Sequence, residues 1–289
     1  MKWQELSILV SSEYVEPISY LFGRYGRGLS LEDAGPGRML LRTYLPNTSK
    51  RRMAQIEVGT KLVQVIEPLA KLTVRDLEEA DWETAWKAHF TLLNIGRRLV
   101  IKPSWISYEP SEGEVVIELD PGMAFGTGYH PTTKMVLEAL EDEVKPGMRL
   151  LDLGTGSAIL SIASIRLGAE SSLAMDIDPI ALRAARKNLR DARLTDRITL
   201  VRGSLPHRTA APASFDLAAA NISKKTIEER GPALYDILKP GGKLIASGML
   251  ADQADETKSA LGEAGFVTER VAITDDWAAI TLMKGAGPS

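Results

Sequence analysis

Leu150-Leu-Asp-Leu153 runs into Gly154-Thr-Gly156-Ser157, and a helical pattern begins at Ile159. An apolar strand that ends in two closely spaced glycines and turns at once into a helix constrains the fold severely. Glycines at 154 and 156 let the backbone turn tightly and approach a ligand without a Cβ in the way, and the helix N-terminus offers unbonded N–H groups. The alternation continues on both sides. Strand-like runs at 149–153, 172–176, 198–201, 215–220 and 243–248 interleave with helix-like runs at 159–167, 179–192, 225–238 and 252–264. Such alternation predicts an α/β unit with a parallel sheet covered by helices. Two further strands, 266–273 and 278–283, are joined by Thr274-Asp-Asp-Trp277.

The first seventy residues read differently. Trp3 to Val10 alternates as a strand, and Val15, Ile18, Leu21 and Phe22 fall at helical spacing. Gly28 to Leu31 and Arg38 to Leu45 flank the Gly35-Pro-Gly turn, Asn47-Thr-Ser offers a cap for a helix through Ile66, and Leu72 to Leu77 suits a closing strand. Strand, helix, strand, strand, helix, strand is the order of a small ferredoxin-like α+β domain. The expected division is residues 1–72 as a substrate-recognition domain, 73–88 as a linker holding the Trp82-Glu-Thr-Ala-Trp86 pair, and 89–289 as the catalytic domain.

Composition narrows the function. A net charge of -3 over 289 residues gives no global attraction to phosphates, so nucleic acid is not expected as a direct partner, although a local basic patch is compatible with that figure. With no cysteine there is no disulfide framework, thiolate zinc site or cysteine nucleophile. His89, His130 and His207 lack ligand spacing, so no metal is expected and a surface or capping role suits each. No apolar run approaches bilayer length and the N-terminus carries no charged-then-apolar leader, so a cytoplasmic protein without membrane attachment is expected.

Position 159 is Ile, so the loop fails the three-glycine pattern of dinucleotide sites. The acid just before it, Asp152, suits a ligand with a cationic amino acid end better than a pyrophosphate. Asp176 ends the next strand, where a carboxylate accepts hydrogen bonds from ribose hydroxyls. Asp178 is expected to cap the helix that Pro179 opens. Gly203-Ser204-Leu205 follows the third strand, either as a plain turn or against an adenine ring.

Together these features resemble the S-adenosylmethionine-dependent methyltransferases with a Rossmann-like sheet. Asp120-Pro-Gly-Met-Ala-Phe-Gly-Thr-Gly-Tyr-His-Pro-Thr-Thr133, Trp82-Glu-Thr-Ala-Trp86, Lys102-Pro-Ser-Trp105, Asp176-Ile-Asp-Pro179 and Ala220-Asn-Ile222 narrow the likeness. They are similar to the PrmA-like family, bacterial enzymes that methylate large-subunit ribosomal protein eleven. The resemblance implies S-adenosylmethionine as cofactor, held by Thr133, Gly154, Asp176 and Asn221, with Gly156, Asp152 and the glycine-flanked Phe125-Gly126-Thr127 beside it. It also implies that Asn221 is catalytic, its amide oxygen accepting an N–H of the attacking amine. The implied substrate is lysine side chains or N-terminal amines of the ribosomal protein. Three positions depart from the family pattern: Ala158 where a third glycine is frequent, Tyr129, expected to narrow the pocket, and Ser223-Lys-Lys225, where lysines facing the pocket would repel a cationic acceptor. Methylation of another protein, RNA or small amine, and cofactor binding without activity, remain alternatives at this point.

Overall fold

Seven strands, in the spatial order 198–202, 171–176, 149–153, 215–221, 238–250, 277–284 and 266–274, form the sheet that organises the chain. The computed structural model describes residues 3–35, 37–66, 69–77, 92–120 and 128–285. The large sheet comprises β8 (Arg149–Leu153), β9 (Ser171–Asp176), β10 (Ile198–Arg202), β11 (Phe215–Asn221), β12 (Leu238–Leu250), β13 (Phe266–Thr274) and β14 (Trp277–Lys284). The five strands from β10 to β12 run parallel, while β14 pairs antiparallel with both β12 and β13. Chain order reverses about β8, whose neighbours are β9 and β11, and a sheet of this kind opens a crevice at the carboxyl ends of those strands.

Apolar residues explain which face each helix covers. On one face α3 (Pro131–Glu143), α4 (Ile159–Arg166) and α5 (Pro179–Asp191) bury Val136, Leu140, Ile159, Ile162, Ala185 and Leu189 against the strands. On the other, α6 (Lys224–Ile237) and α7 (Ala254–Glu263) contribute Ile227, Leu234 and Leu261. The expected helices are found within one to two residues of their sequence boundaries. Pro131 and Pro179 open α3 and α5, where a missing N–H costs nothing.

The N-terminal unit comprises β1 (Trp3–Ser11), α1 (Val15–Tyr25), β2 (Arg27–Asp33), β3 (Arg38–Pro46), α2 (Lys50–Ile66) and β4 (Thr73–Leu77). Its strands form an antiparallel sheet in the order β2-β3-β1-β4, the ferredoxin-like arrangement expected from the sequence. Leu6, Ile8, Val10, Val15, Ile18 and Phe22 make its core. Thr73–Leu77, at the start of the expected linker, pairs with β1, and the rest of that linker, including the tryptophan pair, lies outside the described residues.

A third, small sheet, β5 (Leu93–Ile95), β6 (Leu99–Lys102) and β7 (Val115–Glu118), joins the core of the large domain through Ile95, Leu99, Ile101 and Ile117. One buried carboxylate anchors its hairpin. Glu141 on α3, with 1% of its side chain exposed, accepts the Arg97 backbone N–H at 2.8 Å and Arg98 Nε at 3.3 Å. The hairpin can come this close because Gly96, at φ +58°, carries no Cβ: one would stand 2.3 Å from a Glu141 carboxylate oxygen. Removing the acceptor strands a partly buried N–H and a guanidinium. Glu141→Ala is therefore expected to lower unfolding free energy by about 2–3 kcal/mol. A urea titration showing less than about 0.5 kcal/mol, the usual range for surface changes, would contradict the anchoring role.

Candidate functional site

The crevice beyond β8, β9 and β11 holds a cavity of about 790 Å³, lined by Leu153, Gly154, Gly156, Asp176, Asp178, Gly203, Ser204, Asn221 and Ile222 from the large sheet and its loops. Its remaining wall comes from His130, Thr132 and Trp277, and from Glu13, Tyr14, Pro17 and Tyr20 of the N-terminal unit. The size is that of a small-molecule site.

The glycine loop is shaped from beneath. Asp152 has no exposed surface, and its Oδ2 accepts from Thr155 Oγ1 at 2.6 Å, Ser161 Oγ at 2.7 Å and the Ser161 N–H at 3.2 Å. Asp152 thus lies under the loop rather than among the residues that line the cavity, and ties β8 to the first turn of α4. Burial pushes its carboxyl up to about 6 despite those donors, and Asp176 adds to the rise. Gly154 and Gly156 take φ of +78° and +54°, a region glycine enters without strain, and Gly154 lies against Ile222 so closely that a Cβ would come within 2.1 Å of its Cγ2. Ala158, the departure at the third small position, is held at φ +69° as the residue before α4.

Asp176 stands at the end of β9 on the cavity wall. Its Oδ2 accepts the Gly156 N–H at 3.0 Å and its Oδ1 the Asp178 N–H at 2.9 Å, so each oxygen keeps a lone pair for hydroxyl donors. Asp178 caps α5 by accepting the Ile180 N–H at 2.7 Å, as its sequence position suggests. Thr133 and Asn221, 88 positions apart, are brought together: Asn221 Nδ2 donates to Thr133 Oγ1 at 3.2 Å. Thr133 stands behind Asn221 rather than on the wall. Among the described residues Asn221 Oδ1 is buried without a hydrogen-bond partner, which leaves a strong acceptor unsatisfied on a residue that lines the cavity. Phe125, Gly126 and Thr127 lie outside the described residues.

Two departures are resolved by packing. Tyr129 does not narrow the cavity; it is 8% exposed and packs into the core of the N-terminal unit, with Trp105 and Ile106 against the same cluster. Lys224 pairs with Glu256 and with Glu228, and Lys225 points outward at 86% exposure toward Glu229. Neither lysine lines the cavity.

Sequence reasoning missed the far wall. Glu13 Oε2 accepts Trp277 Nε1–H at 3.3 Å, and Trp277 packs edge-on against His130 at 4.8 Å between ring centroids. His130 caps α3, its Nδ1 accepting the Thr132 N–H at 3.3 Å and meeting Thr132 Oγ1 at 2.7 Å, and its ring bonds the backbone of Glu13. Trp277 had one local signal, an aromatic in a tight turn; Glu13 had none. Among the described residues no lysine or arginine lines the cavity, whereas Glu13, Asp176 and Asp178 do, beside Tyr14, Tyr20 and Trp277. A pocket of carboxylates and aromatic faces suits cations.

Residues 2–285 match the family described as ribosomal protein L11 methyltransferase (PrmA). Proteins named ribosomal protein L11 methyltransferase from Chloroflexus aurantiacus and Listeria innocua are 38% and 37% identical to this chain; the alignments cover 96% and 99% of it, and 97% and 99% of the relatives. The crystal structure of ribosomal protein L11 methylase from Lactobacillus delbrueckii subsp. bulgaricus superposes with a TM-score of 0.62 at 32% identity, covering 68% of this chain and all of the other.

Burial holds the His130 imidazole down at about 4, and Lys134 contributes to the fall while the Glu13 backbone opposes it. A histidine whose folded pKa lies below its unfolded value of about 6.5 contributes stability that is complete above 6.5 and lost as pH falls through 4, amounting to about 3 kcal/mol. Asp152, raised, works oppositely: its ionisation carries no penalty below about 4 and its full penalty above about 6. Proton-detected titration of the imidazoles is expected to find His130 neutral down to pH 5; a midpoint above 6 would rule out the desolvated, capping ring.

Proposed function

This chain belongs to the ribosomal protein L11 methyltransferase (PrmA) family, and on that premise we propose that it transfers methyl groups from S-adenosylmethionine to amines of ribosomal protein L11. The observation that carries the reading is Asn221, whose amide oxygen is buried without a partner among the described residues while its amide nitrogen is fixed by Thr133. An acceptor left open in this way is matched by an incoming amine N–H.

The residues fit the cofactor. Asp176 supplies two oxygens for ribose hydroxyls, Gly154 and Gly156 keep the loop thin, and Gly203-Ser204 closes the adenine end. When bound, S-adenosylmethionine supplies a methyl group on a positively charged sulfur. The protein's own work is orientation: Thr133 sets the Asn221 amide, and Asn221 Oδ1 accepts one amine hydrogen and aims the nitrogen lone pair. Glu13 and the aromatic rings draw the cationic side chain in, and the amine must then lose a proton. Taking a lysine of pKa about 10.4 to its neutral form near pH 7.5 costs roughly 4 kcal/mol, a cost that desolvation beside a cationic sulfur lowers. The acceptor on this reading is protein, and the place of action is the cytoplasm, where ribosomal proteins are made.

Residues 1–72 are the part that presents the substrate. In support, an apolar groove between α1 and α2, lined by Leu21, Gly59, Leu62 and Val63, shares Pro17 and Tyr20 with the cavity. Val58, Leu62 and Val65 lie exposed along α2, an unusual apolar stripe for solvent.

Transfer of labelled methyl to purified ribosomal protein L11 tests the acceptor, and an inert reaction with normal cofactor binding would refute it. Asn221→Ala is expected to lower kcat about 100-fold. Asp176→Ala should weaken S-adenosylmethionine binding by calorimetry about 10–100-fold, the loss of charge-assisted hydrogen bonds. Glu13→Gln should raise KM for the protein substrate and leave that calorimetric affinity unchanged.

A further inference from the structure

Of the three residues at 223–225 that depart from the family pattern, only Ser223 reaches the cavity; Lys224 and Lys225 turn to carboxylates outside it. Thr226, in the first turn of α6, lines the cavity as well. Their hydroxyls stand 2.9 Å apart, and either oxygen can be the donor. Ser223 is the N-cap of α6, where a serine hydroxyl ordinarily accepts the N–H two or three residues on, yet its side chain makes no capping bond. The helix forgoes about 1 kcal/mol in this way. The hydroxyl is held beside Thr226 at the cavity edge instead.

An unmodified amine brings more hydrogens than Asn221 can take. In its neutral, attacking form it carries two N–H groups and one lone pair, and Asn221 Oδ1 accepts one of the two. Beyond Asn221 the side chains that follow along the cavity are Ile222, which has no acceptor atom, and Ser223. Whichever hydroxyl of the pair donates to the other, both oxygens keep a lone pair. Reach is adequate. Two acceptors that share one tetrahedral nitrogen stand about 4.7 Å apart, and the two steps of chain from Asn221 to Ser223 span at most about 7 Å between Cα atoms.

We propose that Ser223 and Thr226 are specificity-determining residues for the acceptor amine: their paired hydroxyls take the N–H that Asn221 leaves over, and so favour an amine without methyl groups over one already methylated. The inference rests on the reading of the chain as an amine methyltransferase. With both hydrogens held, the lone pair of a primary amine has one direction left to point, toward the methyl donor. A secondary amine spends its one N–H on Asn221 and a tertiary amine has none, so transfer to those proceeds without the pair. Glu13 and the aromatic wall do not make this distinction, because a carboxylate or a ring face attracts a cation whatever its number of methyl groups. Nor do the hydroxyls suit an anion. Glu13, Asp176 and Asp178 line the same cavity, with no lysine or arginine among the described lining residues to offset them.

Initial rates of methyl transfer are compared for wild type and the double variant S223A/T226V on two forms of ribosomal protein L11, one unmodified and one with its amines converted to dimethylamines by formaldehyde and cyanoborohydride. The variant is expected to be about 3–10-fold slower on the unmodified form, the loss of one hydrogen bond. On the dimethylated form it should stay within about 2-fold of wild type, which shows that it is folded and holds its cofactor. An equal loss on both forms, a loss on the dimethylated form alone, or no loss on either overturns the proposal. A second measurement needs no acceptor protein. With S-adenosylhomocysteine bound, both enzymes are titrated by NMR with n-butylamine and with N,N-dimethylbutylamine, and the wild-type preference for the primary amine should shrink about 3–10-fold in the variant. An unchanged preference overturns the proposal, whereas a wild type inert toward ribosomal protein L11 refutes the substrate reading and leaves the titration to decide.

Discussion

A carboxylate without exposed surface holds the centre of this molecule together. Asp152 gathers the Thr155 hydroxyl and both the N–H and hydroxyl of Ser161 onto one oxygen, and Ser161 Oγ lies 2.9 Å from Ser172 Oγ on β9. One side chain thus fixes the end of β8, the bend of the loop, the start of α4 and their relation to the next strand. Burying that charge is unfavourable in itself, and the donors offset only part of the penalty, which is why its pKa rises. The return is a rigid loop: Gly156 can offer its N–H to Asp176, and the ends of β8, β9 and β11 face one cavity. A neutral side chain of the same shape could satisfy two of the donors at most without presenting a hydrogen of its own.

Features with a local cause were legible in the sequence. Pro131 and Pro179 announce helix starts, Asp178 announces its cap, and the apolar periods separate helices from strands well enough to give both the ferredoxin-like unit and the methyltransferase sheet. Asp176 could be singled out because it ends a strand at the carboxyl edge of such a sheet, whereas Asn221 came from the resemblance to the PrmA-like family.

Features made by contact between distant segments were not legible. Tyr129 reads as narrowing the pocket because it departs from the family pattern within the motif, yet it belongs to the core of a unit whose nearest sequence neighbour is more than fifty positions away. Glu13 and Trp277 meet across 264 positions. Lys224 and Lys225 look hostile to a cationic acceptor until Glu228, Glu229 and Glu256 are seen to face them. Asp152 shows the limit most sharply: its neighbours along the chain say nothing of the three donors it gathers from the loop and the helix beyond, which only the burial of β8 between two layers brings to it.

The cavity wall is shared between two units with separate cores, joined here by the Trp277–Glu13 hydrogen bond, the bond of the His130 ring to the Glu13 backbone and one intruding tyrosine. Any ligand touching both sides of such a wall acts as a removable crosslink. By thermodynamic reciprocity, whatever holds the units together tightens the hold on that ligand by the same factor. The preference for the joined arrangement is then a quantity evolution can adjust at Glu13 and Trp277, setting how readily a modified acceptor departs without altering the residues that perform the transfer.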